Sequence, residues 1–263
     1  MDVVVLVKQV PDTESLIQIE GDGVSIKTDD IKWVMNPYDE LAVEAALQIR
    51  EAKGGGTVTI LSLGPEKTVE TIRTALAMGA DKGIHIFDPA AEDSDALSKG
   101  KLLAAALKTL PFDLVIAGMR AVDEDNYQVG SAVAELLDIP QISQVTGVAV
   151  EDQTIKCHRV IEGGTVVVET VLPALFTTQR GLNEPRYASL SGIMKAKKKP
   201  IDTLSLTDLG VDPETVGPAG RKVKVTVLNF PPNRKTVKMI DGENPGEKAT
   251  KLVKILHENV KAI

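Results

Sequence analysis

Short, almost wholly aliphatic segments recur through the first half of the chain, and each precedes a stretch with helical signals. The segments are Val3–Val7, Thr57–Leu63, Gly83–Phe87 and Leu114–Ala117. A continuous apolar run of this length is typical of a strand that is buried on both faces. Strands that alternate with helices indicate crossover connections and therefore a parallel sheet. The sequence predicts an α/β protein with a doubly wound parallel sheet.

Capping signals place helices between these strands. Pro37–Glu51 is predicted to be a helix because Asn36 can cap it and Pro37 suits the first helical position. A contact between Asn36 and a ligand is the alternative for that side chain. The next helix follows Gly64-Pro65 and stops at Gly79. Two further helices are predicted, Asp95–Leu110 and Gln128–Leu137.

The pattern changes after about Pro140. Three strand-like segments with short turns predict an antiparallel meander added to the α/β core: Val145–Glu151, Thr154–Ile161 and Thr165–Val171. A small hairpin is predicted near the start of the chain, formed by Ile17–Glu20 and Val24–Lys27. Residues 1–199 are therefore predicted to form the main domain, with the meander at about 145–178.

The chain beyond Lys199 is rich in proline and glycine, and such a segment cannot build a large core. We predict that residues 200–263 form an arm that is ordered by lying on another surface. The arm ends in a predicted amphipathic helix, Glu247–Val260.

Composition excludes several classes of function. A formal net charge of −7 argues against general nucleic-acid binding. Cys157 is the only cysteine, which excludes an internal disulfide, a CxxC pair and cysteine-ligated clusters. The N-terminus does not resemble a signal peptide, and no apolar stretch approaches membrane-spanning length. These features predict a soluble protein, cytoplasmic if bacterial.

The sequence gives little support for a metal site or for nucleophilic catalysis. The histidines His85, His158 and His257 are scattered without metal-ligand spacing, and a core position is expected for His85. Cys157 is expected to have a packing role, because one cysteine and a neighbour in sequence do not make a nucleophile–base pair. No catalytic residue and no metal site are predicted.

Three loops should meet at the carboxyl ends of the parallel strands, where such sheets bind ligands. They follow Val7, Leu63 and Ala117. The last loop contains Asp123, Glu124 and Asp125 and runs into the predicted helix start at Gly130 and Ser131. Amide groups at a helix N-terminus suit a phosphate. The acids could accept hydrogen bonds from ribose or adenine, or they could form a solvated acidic cap without a ligand.

The segment 182–199, LNEPRYASLSGIMKAKKK, combines a leucine in a small-residue loop with a run of lysines. An exposed Leu190 could fill a pocket on another protein, and the positive charge could steer the encounter. The alternative is a solvated lysine-rich helix end beside a leucine of the core.

Several motifs in the same order resemble the beta subunit of electron-transfer flavoproteins. They are VKQVPDT, MNPYDELAVEAA, TIRTALAMGADKGIHI, AVDEDNYQVG, LPALFTT and LNEPRYASLSGIMKAKKK. The resemblance covers nearly the whole chain. It implies an adenine-nucleotide-hydrolase-like variant of the Rossmann-type fold and an electron carrier without catalytic residues of its own.

The resemblance also implies cofactors. An alpha subunit would hold the electron-carrying FAD at the dimer interface, and this chain would hold AMP, or a second FAD in electron-bifurcating members that use NADH. VKQVPDT is like the bifurcating branch, whereas LNEPRYASLSGIMKAKKK matches the AMP branch, which we favour. The implied cofactor-binding residues are Leu6, Lys8, Asn36, Pro37, Tyr38, Asp39, Leu63, Gly64, Ala121, Val122, Asp123, Asp125, Asn126, Tyr127, Gln128, Val129, Gly130 and Ser131.

The implied partners are the alpha subunit, acyl-CoA dehydrogenases and a membrane quinone oxidoreductase. Lys195 and Lys197–Lys199 are expected to raise the association rate, and the arm is expected to wrap the alpha subunit. The implied partner-binding residues are Tyr187, Leu190, Ile193, Met194, Lys195 and Lys198. A free-standing adenine-nucleotide sensor is an alternative from another class, and an adenylate-forming enzyme is a weaker one because the pyrophosphate motif is missing.

Overall fold

The computed structural model describes residues 1–233 and 236–262. The chain divides into two compact units, Met1–Thr226 and Val227–Ile263. The strands of the described residues, in chain order, are β1 (Val3–Leu6), β2 (Gln9–Pro11), β3 (Trp33–Met35), β4 (Val58–Leu63), β5 (Lys82–Ile86), β6 (Leu114–Gly118), β7 (Gln141–Glu151), β8 (Thr154–Ile161), β9 (Gly164–Val171), β10 (Ala174–Thr178) and β11 (Ile201–Leu204).

The α-helices of the described residues, again in chain order, are α1 (Pro37–Ala52), α2 (Thr68–Met78), α3 (Ala96–Leu107), α4 (Val129–Leu137), α5 (Leu190–Ala196), α6 (Leu206–Leu209), α7 (Gly217–Gly220) and α8 (Pro245–Ile255). The first four match the helices predicted from the sequence to within a few residues at each end. None of the helices in the described part of the chain is both long and apolar enough to cross a bilayer.

A sheet of nine strands organises the first unit, in the order β11-β5-β4-β1-β6-β10-β7-β8-β9. Pairing is parallel from β11 through β7, and β7, β8 and β9 form an antiparallel meander at one side. β2 and β3 form a separate antiparallel pair. The predicted doubly wound sheet and its antiparallel extension are confirmed, except that the extension ends with β9: β10, predicted to belong to it, is a parallel strand between β6 and β7.

Alternate residues of β1 face two different apolar cores. Val3 and Val5 pack in the core that contains residues of α1 and α2, whereas Val4 and Leu6 pack in the core that contains residues of α3 and α4. A strand between two helical layers has no face towards water. This arrangement explains why the sequence of β1 is a continuous aliphatic run instead of an alternating one.

The single cysteine and one histidine are part of the packed interior. Cys157 is fully buried, and burial raises the pKa of its thiol to about 12. His85 is also buried, and its Nε2 lies 2.9 Å from the carbonyl oxygen of Gly64. The packing roles predicted for both residues are confirmed.

Two predictions about the periphery need correction. The predicted hairpin near the start reduces to one antiparallel bridge between Ile19 and Ile26. The arm does not begin at Pro200, because β11 pairs with β5 and the chain stays with the first unit as far as Thr226. Sequence composition could not show that a strand as short as Ile201–Leu204 completes the sheet.

The second unit contains the predicted terminal helix. α8 begins after Asn244, whose side chain accepts a hydrogen bond from the amide of Glu247, and a π-helical turn, Leu256–Val260, follows it. The predicted arm also includes Arg234, Lys235 and Ile263, which lie outside the described residues.

Replacement of Phe176 by alanine is expected to destabilise the first unit strongly. Phe176 lies fully buried in β10, between two parallel neighbours. The cavity should lower the free energy of unfolding by about 3–5 kcal/mol. Val167→Ala, on the exposed edge strand β9, is the control and should change it by less than about 0.5 kcal/mol. Urea unfolding of both variants would measure this, and equal midpoints would contradict the packing described here.

Candidate functional site

A cleft of about 710 Å³, including its open mouth, lies at the carboxyl ends of β1, β4 and β6. The loops that follow β1 and β6 both line the cleft, as predicted. The third predicted loop, Gly64-Pro65, does not, although Leu63 at the end of β4 does. The cleft is lined by Leu6, Val7, Lys8, Asn36, Asp39, Leu63, Lys99, Leu103, Ala117, Gly118, Met119, Arg120, Ala121, Glu124, Asn126, Gln128, Val129 and Gly130.

Asn36 holds the long loop after β6 in place. Its Nδ2 donates to the carbonyl oxygen of Arg120 at 2.8 Å, and its Oδ1 accepts from the amide of Val122 at 3.2 Å. Asn36 occupies the predicted N-cap position of α1, but its side chain makes no capping hydrogen bond, so only the side-chain part of the predicted cap is wrong. The side chain bonds instead to a residue more than eighty positions further along the chain.

Asp39 joins the two central loops through a buried carboxylate. Its Oδ2 accepts from the amide of Lys8 at 2.7 Å, and its Oδ1 accepts from the amide of Gly118 at 3.0 Å. Burial raises the pKa of the Asp39 carboxyl to about 7, although these hydrogen bonds act in the opposite direction. A Cβ on Gly118 would lie only 2.2 Å from Oδ1, so this approach requires a glycine.

Two lysines of the cleft are neutralised by the acidic loop. Lys8 Nζ lies 2.8 Å from Asp123 Oδ2 and 2.9 Å from Glu124 Oε1, and Lys99 Nζ lies 2.5 Å from the same Glu124 oxygen. Asn126 Nδ2 donates to the other oxygen of Glu124 at 2.9 Å. Burial opposes ionisation of Glu124, but the two lysines outweigh it and hold its pKa below the ordinary value. Glu124 is therefore a charged bridge across the cleft.

Arg120 is held between two tyrosine rings beside the cleft. Its guanidinium carbon lies 5.1 Å from the ring centre of Tyr38 and 5.5 Å from that of Tyr127. Its Nη1 lies 2.5 Å from Asp125 Oδ1. Asp125 and Tyr127 both have positive φ angles, 50° and 57°, which L-residues rarely adopt. The cation–π contacts and the ion pair hold the loop in this conformation.

The structure brings together only part of the predicted cofactor-binding set. The predicted residues that line the cleft are Leu6, Lys8, Asn36, Asp39, Leu63, Ala121, Asn126, Gln128, Val129 and Gly130. Those that lie outside its lining are Pro37, Tyr38, Gly64, Val122, Asp123, Asp125, Tyr127 and Ser131. Ser131 instead donates to the side chain of Gln141 at 2.7 Å.

Sequence reasoning missed Arg120 and Lys99 among the charged residues of the lining, and it named Glu124 as one of three acids of the loop without including it in the cofactor-binding set. Glu124 stands between two predicted acids, and its bridge to both lysines is visible only in three dimensions. Arg120 lies next to the predicted loop, but no local pattern distinguishes it. Lys99 lies on α3, and only the packing of α3 against α4 brings it to the cleft. No signal in its neighbourhood would have identified Lys99.

The lysine-rich segment presents apolar side chains to solvent. Leu190 is 85% exposed and begins α5, which Ser189 caps through a hydrogen bond from Gly192 N. Tyr187 is 99% exposed, and Ile193 and Met194 are exposed as well. The alternative of a core leucine at position 190 is therefore wrong.

The lysines of this segment divide into two kinds. Lys195, Lys197 and Lys198 are exposed. Lys199 instead turns inward, where its Nζ donates to the carbonyl oxygens of Leu76 and Ala80 at the end of α2. Burial lowers the pKa of Lys199. The steering role expected for Lys199 is replaced by a structural one, because its charge is bound to a helix C-terminus.

The fold is that of a doubly wound α/β protein, and its cleft lies at the carboxyl ends of the strands, where such folds generally bind ligands. A family model described as electron transfer flavoprotein domain matches residues 24–209. The electron transfer flavoprotein subunit beta of Bacillus subtilis (strain 168) is 41% identical over the full length of both chains.

Mammalian electron transfer flavoprotein subunits beta are similar to this chain to the same degree. The electron transfer flavoprotein subunits beta of Bos taurus and Homo sapiens are each 42% identical, over 88% of this chain and 89% of their own. The chain therefore belongs to the electron transfer flavoprotein family, among the beta subunits. Beta subunits of this family form heterodimers with an alpha subunit.

Asp39 should make stability depend on pH. Its folded-state pKa of about 7 exceeds the ordinary 3.8, so the folded protein keeps a proton that the unfolded chain loses. This contribution is fully present below about pH 4 and is lost as the pH rises to about 7, by up to about 1.4 kcal/mol per pH unit. Denaturant unfolding at several pH values would measure it. Asp39→Asn should remove this slope, and parallel curves for both proteins would contradict the expectation.

Proposed function

We propose that this chain is the nucleotide-holding subunit of a heterodimer that carries electrons from acyl-CoA dehydrogenases to a membrane quinone oxidoreductase. The observation that carries the proposal is the cleft at the carboxyl ends of β1, β4 and β6, in a chain of the electron transfer flavoprotein family. FAD, when bound mainly by the alpha subunit, supplies the redox chemistry. This chain supplies scaffold, nucleotide site and docking surface, in the bacterial cytoplasm or the mitochondrial matrix.

AMP is the proposed ligand of the cleft. The N-terminus of α4 borders the cleft through Gln128, Val129 and Gly130, and such a terminus suits a phosphate. Asn36 and Asp39 fix the surrounding loops, so they shape the site through the backbone. A ligand that binds only the folded state stabilises it by mass action. AMP would thus have a structural role here.

A second FAD in the same cleft is the other candidate, and one observation favours it. A bulky side chain such as that of Tyr127 would leave less room for an isoalloxazine ring if it faced the cleft, yet Tyr127 is absent from the lining. Glu124 and Asn126 do line the cleft and restrict its volume. AMP remains the better supported ligand, and the flavin count of the heterodimer separates the two candidates.

The exposed segment is the proposed docking surface for the dehydrogenase. Tyr187, Leu190, Ile193 and Met194 offer apolar contacts, and Leu190 is the proposed anchor in a pocket of the partner. Lys195, Lys197 and Lys198 would raise the association rate in a salt-dependent way. The residues after Thr226 are proposed to bind the alpha subunit.

Identification of the bound nucleotides tests the proposal. The chain is purified with its alpha subunit, the heterodimer is denatured, and the released nucleotides are identified by chromatography and mass. We expect equal amounts of AMP and FAD. Two FAD per heterodimer without AMP would instead establish the bifurcating form. Release of neither nucleotide would contradict the proposed role of the cleft.

Leu190→Ala should weaken coupling to the dehydrogenase without disturbing the heterodimer. Loss of an anchor side chain typically costs about 2 kcal/mol or more in association, or roughly thirtyfold in affinity. Electron-transfer rates at limiting flavoprotein would measure the loss. Leu97→Ala, at an exposed leucine in the first turn of α3, is the matched control. Equal rates for both variants would exclude Leu190 as the anchor.

A further inference from the structure

The chain that leads into α5 has little regular structure of its own. Between Gly181 and Ser189 no helix or strand forms, although all of these residues are among those described. Side chains provide the anchors instead. Asn183 Nδ2 donates to the carbonyl oxygen of Leu41 in α1 at 3.0 Å, and Arg186 bonds to two glutamates of the same helix.

Arg186 binds two glutamates of α1 at once. Its Nε and Nη2 donate to the two oxygens of Glu44 at 2.8 and 3.1 Å. Its Nη1 and Nη2 donate to the two oxygens of Glu51 at 2.7 and 3.1 Å. The amide of Arg186 also donates to Glu44 at 3.2 Å. The planar guanidinium therefore forms a double fork that only arginine can make.

Glu44 requires a charged partner because its side chain is only 4% exposed. Gln48 donates to Glu44 Oε1 at 2.8 Å and fixes the carboxylate from the next turn of α1. Burial opposes ionisation of Glu44, but the hydrogen bonds and charge of Arg186 outweigh it and lower its pKa. Separation of the two side chains would leave a buried carboxylate without a partner, which costs free energy. The Arg186–Glu44 ion pair is therefore stable.

α5 itself is seated on α2. A Cβ on Gly192 would lie 2.5 Å from the carbonyl oxygen of Ala77, so glycine allows the two helices to touch. Arg73 Nη1 donates to the carbonyl oxygens of Ala196 and Lys199, each at 2.6 Å. These contacts hold the end of the segment, whereas Arg186 holds its beginning.

We propose that Arg186 is the positioning residue of the docking segment, because its double fork to Glu44 and Glu51 orders Tyr187 and Leu190 before a partner arrives. This inference rests on the proposed function. Tyr187 and Leu190 have almost no contacts of their own, as their exposure shows. An anchor that is already ordered loses less conformational entropy on binding, so affinity rises without any new contact to the partner.

Amide hydrogen exchange tests the ordering without any dehydrogenase. In Arg186→Lys, which keeps the charge but loses the fork, the amides of α5 should exchange roughly ten times faster while those of β1 and β6 stay unchanged. Glu51→Gln is a milder variant that leaves Glu44 in place. Arg221→Lys, at a 3.8 Å ion pair with Asp93, is the control. Unchanged exchange in α5 would overturn the inference.

Steady-state kinetics test the consequence for docking. The heterodimer receives electrons from a medium-chain acyl-CoA dehydrogenase reduced with octanoyl-CoA. For Arg186→Lys we expect the apparent KM for the flavoprotein to rise roughly tenfold with kcat unchanged, and the double variant Arg186→Lys/Leu190→Ala to have a KM close to that of Leu190→Ala alone. Faster exchange with an unchanged KM would overturn the positioning role. Failure of the wild-type heterodimer to accept electrons would overturn the proposed function alone, because the exchange experiment still judges the ordering.

Discussion

The buried carboxylate of Asp39 is the contact on which the cleft depends. It accepts hydrogen bonds from two backbone amides: that of Lys8, just after β1, and that of Gly118, the last residue of β6. The carboxylate so joins the two central strands to the first turn of α1. Parallel strands leave their carboxyl ends without a common partner, and loops there would otherwise diverge. One side chain closes this gap, and the glycine at position 118 allows it to come close enough. Asn36, on the same turn, then fixes the loop that forms the far wall.

The charges of the cleft are balanced within it. Lys8 and Lys99 face Glu124, with Asp123 completing the shell of Lys8, and Arg120 is paired with Asp125. A phosphate placed among these groups would have to compete with Glu124 for both lysines. The backbone amides at the start of α4 could bind a phosphate without the loss of an ion pair, although the amide of Gln128 already donates to Asn126 Oδ1 at 3.3 Å. Positive charge that remains free for a partner is found at the exposed lysines after α5.

Local patterns were sufficient for the elements that dominate the fold. β1 and α1 could be predicted because strand burial and helix start signals act over a few residues. Contacts between distant residues could not be predicted. Asn36 has a good capping sequence yet bonds to the loop after β6, and Lys199 looks like one more surface lysine yet binds the end of α2. Within the candidate site, the loop was predictable from its composition, whereas Lys99 was not, because helix packing alone brings it there.

α1 has polar contacts at both ends, and this limits how the docking segment can be reused. Its first turn shapes the cleft, and Glu44 and Glu51 further along hold Arg186. The segment 182–199 is therefore not a portable loop. A protein engineer who grafted it onto another scaffold would also have to transplant the outer face of α1 and the end of α2, since the conformation of the loop is encoded largely outside its own sequence.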